Sequence, residues 1–130
     1  MPPHLAPGFN IIQAPESDKT GIPILVRHLP EYFEYGIKDV DWIPKVGKLK
    51  ACIITRDTNL SRRKHELELL RNHGIGIFFL KAKNKKSGFS IWEMVEMLAK
   101  SWQEITKIAV DEKRPFGYEV NFNGKLKKIF

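Results

Sequence analysis

Apolar residues in this chain gather into short dense runs set between helix-like repeats. Residues 51–55 and 76–80 are continuously apolar, the pattern of strands buried on both faces of a parallel sheet. Between them, a helix over residues 61–72 is predicted, with Leu60, Leu67 and Leu70 on one face and His73-Gly74 as its stop. Ser90 and Glu93 form a Ser-x-x-Glu capping box. Behind it Ile91, Val95, Leu98, Trp102 and Ile105 keep helical spacing, so a long helix is predicted with Trp92 and Trp102 in the core. Residues 114–122 alternate, which predicts a final strand at a sheet edge. Upstream, a helix starts near Asp39 or Asp41; either can serve as N-cap. Pro44 is expected in its first turn, and Gly47 weakens it. Residues 9–13 and 24–29 read as two further short strands around a turn-rich stretch. Strands alternating with helices predict an α/β domain with a mainly parallel sheet.

A length of 130 residues fits one domain over 1–130, and 42% hydrophobic residues can close a core at that size. No apolar run approaches a membrane span, and residues 1–10 lack the basic-then-apolar order of a secretory signal. The expectation is a soluble, cytoplasmic protein. The single cysteine, Cys52, lies in an apolar run and reads as a core thiol; it offers neither a disulfide nor zinc spacing.

Charge changes this picture. Lys and Arg number 22 against 15 Asp and Glu, a net +7. The basic residues cluster: Arg62, Arg63 and Lys64; Lys81, Lys83, Lys85 and Lys86; Lys125, Lys127 and Lys128. A solubilising surface needs no such clustering, so it favours a polyanionic partner, RNA or DNA.

Two acidic motifs carry candidate chemistry. Thr55-Arg56-Asp57 closes an apolar strand, and in open α/β sheets sites gather at that end of the strands. A carboxylate there can hold a hard divalent cation, or can merely cap the next helix. Asp39-Val40-Asp41-Trp42 puts two acids at a helix start, where they serve as metal ligands or simply complement the helix dipole. His4, His28, His65 and His73 have no metal spacing, and no glycine loop suited to phosphate is present.

These blocks resemble a known family. Asp39-Val40-Asp41-Trp42-Ile43-Pro44, Ile53-Ile54-Thr55-Arg56-Asp57, Lys64-His65, Gly74-Ile75-Gly76-Ile77-Phe78-Phe79, the run from Lys86 to Glu96, and Arg114-Pro115-Phe116 look, in order, like PIN-like domains related to VapC-type toxins. The resemblance implies a three-layer α/β/α sandwich and an acidic site that holds Mg2+ or Mn2+ and cuts RNA. It puts the family's Thr-x-Asp acid on Asp57, the acid before Trp on Asp41, and a helper on Asp39. Thr55 would stand beside the metal. Arg56, Arg62, Arg63, Lys64, Lys81, Lys83, Lys85 and Lys86 would bind the nucleic acid. The implied partners are RNA, a small antitoxin protein and a second copy of the chain.

The resemblance departs at the front. The family's opening strand, which ends in Asp-x-Asn, would lie upstream of Met1, through a misplaced start or a shortened gene. The expectation is therefore a metal-dependent endoribonuclease domain lacking its first strand, with little activity as given. The alternative is a non-enzymatic RNA- or protein-binding domain on the same fold. The two differ in whether Asp41 and Asp57 have a reason to converge.

Overall fold

The apolar run at residues 76–80 becomes an inner strand of a sheet. The computed structural model describes residues 39–49, 51–55, 64–81 and 90–130. The chain divides into two units, Met1–Ile37 and Lys38–Phe130, and the described residues all belong to the second. Their elements run α1 (Asp39–Leu49), β1 (Cys52–Thr55), α2 (Lys64–Asn72), β2 (Gly76–Leu80), α3 (Ile91–Asp111), β3 (Phe116–Val120) and β4 (Leu126–Lys128). The strands expected at 9–13 and 24–29 lie outside the described residues.

The sheet order is β1-β2-β3-β4. β1, β2 and β3 are parallel, with Ile54, Phe78 and Tyr118 in one row and Thr55, Phe79 and Glu119 in the next. β4 returns antiparallel along β3. All five residues of β2 are buried, which requires cover on both faces of the sheet there. This is the predicted α/β fold with a mostly parallel sheet. The same expectation of two-sided burial does not hold for β1, whose four residues are all half-buried. Among the described residues β1 has a neighbour on one side only, so its run of apolar residues is not enclosed as β2 is.

The last strand also differs from expectation. β3 is interior, because residues 121–125 turn the chain back and add β4 outside it. The Gly124 N–H donates to the Asn121 carbonyl at 2.9 Å, and the Asn121 N–H donates to the Lys125 carbonyl at 2.9 Å. Gly124 has φ +85°, the left-handed position that a type I turn with a bulge requires. The Asn123 side chain accepts from the Lys125 N–H at 3.0 Å.

α3 starts as its capping box predicts: Ser90 is the N-cap, and its hydroxyl accepts from the Glu93 N–H at 3.1 Å. Its buried stripe, however, is Met94, Met97, Leu98, Ser101 and Ile105. At 100° per residue that stripe is rotated by about 60° from the one expected. Trp92 stands about 160° from the stripe's centre and is 79% exposed, and Trp102 is only half-buried. Neither tryptophan is a core residue. The two flexible methionines fill the space against the sheet instead. Ser101 fits among them because its hydroxyl donates to the Met97 carbonyl at 2.6 Å.

α1 begins at Asp39, so Asp39 and Asp41 both fall inside its first turn, and Pro44 lies beyond that turn. Ile43 and Val46 are buried. Gly47 has a positive reason: a Cβ there would stand 2.8 Å from the His73 carbonyl oxygen. α1 thus approaches the turn after α2 closely. That turn is a left-handed cap, with Gly74 at φ +64° and the Ile75 N–H donating to the Leu70 carbonyl at 3.0 Å. On the sheet, Phe78, Phe116 and Tyr118 pack ring to ring at 5.5–6.1 Å. Arg114 ties the start of β1 to the end of α3 through the carbonyls of Ala51 and Ala109.

Candidate active site and nucleic-acid interface

Because β1, β2 and β3 are parallel neighbours, the chain leaves all three from one edge of the sheet, at Thr55, Leu80 and Val120. The Lys81 N–H donates to the Val120 carbonyl at 2.9 Å and fixes the ends of β2 and β3 together. Thr55 is half-buried and ends β1 two residues before Asp57. The segments that follow β1 and β2, residues 56–63 and 82–89, carry Arg56, Arg62, Arg63, Lys83, Lys85 and Lys86 against one acid, Asp57. They account for +5 of the chain's +7.

Lys81 is exposed, and its ammonium pairs with Glu119 at 3.0 Å. Glu119 is an acid the sequence reading did not single out, although it falls near the end of the alternating stretch. A surface pair of this kind is weak and can exchange its carboxylate for a phosphate. Lys64 is the first residue of α2. The side chains of Lys64, Asp39 and Asp41, and the whole of Arg56, Asp57, Arg62, Arg63, Lys83, Lys85 and Lys86, lie outside the described residues.

At the opposite end of the sheet, α1 and α2 finish together, since Gly47 meets His73 just before β2 begins. There Glu112, the C-cap of α3, hydrogen-bonds the Tyr118 hydroxyl and pairs with Lys128 at 2.8 Å. Bonding to Lys128 and Tyr118 lowers the Glu112 pKa. The bond to Glu112 pushes Tyr118 up to about 12. Burial raises the Cys52 thiol, offset in part by the Arg114 charge, so the half-buried thiol is protonated and unsuited to nucleophilic work. His65 and His73 are exposed. Among the described residues there is no group of three metal-ligating side chains and no helix long and apolar enough to cross a membrane.

The sequence model of a PIN-like domain family matches residues 1–82. No curated protein and no solved structure matches the chain. PIN-like domains are generally nucleases that commonly bind RNA and usually use divalent metals. The match takes in the strand pair β1 and β2, the Thr55-Arg56-Asp57 motif and both helix-start acids. The chain belongs to the PIN-like domain family.

Proposed function

We propose that the chain is a metal-dependent endoribonuclease domain, with Asp57, Asp41 and Asp39 facing one another at the sheet edge where β1 ends. The supporting observation is the concentration of +5 in the two segments that follow the adjacent parallel strands β1 and β2, the first of which carries Asp57. The topology of α1 supports the meeting of the acids. Only two residues separate the end of α1 from the start of β1. It is about 16 Å long at 1.5 Å per residue, and β1 spans about 13 Å. A helix that packs beside α2 and ends at the start of its own strand has its first turn, with Asp39 and Asp41, directed toward the strand's far end.

The donor chemistry fits the metal. Carboxylate oxygens, with a threonine hydroxyl alongside, suit Mg2+ or Mn2+ and not a soft ion. Such an ion activates water and stabilises charge on the cleaved phosphate. Asp57 and Asp41 would hold it, Asp39 would assist, and Thr55 would orient the Asp57 carboxylate. Arg56, Arg62, Arg63, Lys64, Lys81, Lys83, Lys85 and Lys86 would grip the RNA backbone. In this reading the chain is the toxin of a toxin–antitoxin pair, restrained by a small antitoxin protein.

Mn2+ binding by the full chain, read by electron paramagnetic resonance, tests the site directly. Asp57→Asn and Asp41→Asn should each weaken it at least about tenfold, through loss of an anionic ligand. Cleavage of a labelled single-stranded RNA, expected to be slight for the chain as given, should vanish in chelator and in Asp57→Asn. Mn2+ binding equal in all three proteins would refute the assigned ligands. Salt-sensitive RNA binding without any Mn2+ binding would establish the non-enzymatic RNA-binding domain instead.

A further inference from the structure

We infer that Glu119 is a built-in competitor of the RNA backbone: its carboxylate occupies Lys81 as a phosphate would, and so lowers the affinity of this sheet edge for RNA; this rests on the nuclease reading above. Glu119 lies beyond the family match, which ends at residue 82.

The sheet places the pair. Thr55, Phe79 and Glu119 stand in one row across β1, β2 and β3, so their side chains share a face. Lys81 follows Phe79 by two residues, and its N–H bond to the Val120 carbonyl carries the β2–β3 ladder past Leu80. Lys81 is therefore on that face too, at the strand ends. The same face carries α2. Gly117, two residues before Glu119, lies under the Phe130 ring, and the Arg71 guanidinium of α2 stands 4.9 Å from that ring's centre. The chain reaches α2 from β1 through residues 56–63, which hold Arg56, Asp57, Arg62 and Arg63. The Lys81–Glu119 pair is thus on the side of the sheet to which the Asp57 segment leads.

The fold has little need of this pair. Its side chains are 51% and 26% exposed, and an ion pair that open to water contributes little to stability. Its effect on a ligand is larger, because a phosphate seeks the same ammonium through the same kind of charged oxygen. RNA that takes Lys81 must first part it from Glu119, and then leaves a carboxylate beside a phosphate. Lys127 lies opposite Glu119 on β4 but forms no ion pair among the described residues, so Glu119 holds one of its two neighbouring ammonium groups. The competitor makes the edge selective. A lone phosphate gains too little to displace Glu119, whereas a chain that meets several cations at once does not depend on Lys81 alone. Long RNA is favoured over short products of its cleavage.

The test is fluorescence anisotropy of the full chain with a 5′-labelled single-stranded RNA, in chelator, across a salt series. The proteins are the parent, Glu119→Gln, Lys81→Gln and the double variant. Glu119→Gln should bind about two- to fivefold tighter at low salt, the fold-change set by an exposed ion pair. Its log–log salt slope should steepen by up to about 0.7, one added backbone contact. With Lys81→Gln already in place, Glu119→Gln should bring little or no gain. Thermal unfolding checks each variant, and Glu119→Thr, a good strand residue without the charge, repeats the measurement. Binding no tighter than the parent in folded Glu119→Gln and Glu119→Thr would overturn the competition. An equal gain with and without Lys81 would overturn it as well, by showing a diffuse charge effect. A parent and a Glu119→Gln variant that both lack salt-sensitive RNA binding would instead sink the nuclease reading, and this inference with it.

Discussion

Gly76→Ala puts the packing of the inner strands to a test whose sign is informative. Gly76 begins β2 and sits in register with Cys52 on β1 and Phe116 on β3. A Cβ at Gly76 would point into the Phe116 ring, 2.6 Å from Cε2 and 2.8 Å from Cε1. Ordinary contact needs about 3.5–4.0 Å, so the ring would have to move by roughly 1 Å. It has nowhere to go: Phe116 is fully buried, edge-on to Phe78 at 5.5 Å and to Tyr118 at 5.9 Å. Overpacking of this kind costs about 1–3 kcal/mol, and the enclosure puts Gly76→Ala in the upper half of that range. In a site with room, the same change would stabilise by about 0.4–1 kcal/mol through the unfolded chain. The assay is urea denaturation. With m about 1–3 kcal/mol/M, the midpoint should fall by about 1 M. Phe116→Leu opens space at a cost of its own. The double variant should then be less destabilised than the sum of the singles, by about 1 kcal/mol of coupling. An unchanged or raised midpoint for Gly76→Ala, or strict additivity, would refute the close approach of the two strands.

Three further outcomes are expected. Ser90→Ala should lower stability by about 1 kcal/mol, the worth of an N-cap, with Ser90→Asp restoring it in the same denaturation assay. Trp92→Gln should change stability by no more than about 0.5 kcal/mol, as for an exposed surface site; a core tryptophan would cost several times that. Tyr118 has its folded pKa pushed up to about 12 from the usual 10.0. Its contribution is therefore present below pH 10 and is lost as pH rises through about 12. Tyr118→Phe should show a shallower alkaline loss of stability than the parent over that window, and parallel curves would show that the Glu112 bond contributes nothing.

What the sequence discloses depends on how local the controlling interaction is. The Ser90–Glu93 cap, the Gly74 stop and the buried strand at Gly76–Leu80 are set by residues within a few positions of one another, and each is present as read. The face of α3 is not local. Apolar residues cover much of its first half, and only the sheet decides that Met94 and Met97 go in while Trp92 stays out. Gly47 looks like a helix defect in its local sequence because its reason, the His73 carbonyl, lies 26 residues away. The β3–β4 turn was missable for the opposite cause: Asn123-Gly124 is a local hairpin signal, but the following Lys125, Lys127 and Lys128 read as a charge cluster and hid a strand with one apolar residue. The candidate site combines both cases. Thr55 at a strand end and the acids at a helix start are legible as motifs. That the segments carrying Arg62 and Lys85 leave the sheet at one edge follows only from β1 and β2 being parallel neighbours, which sends the chain out of both strands in the same direction. The parallel pairing is thus what makes two runs of charge, separated in sequence, candidates for one RNA-binding edge under the proposed function.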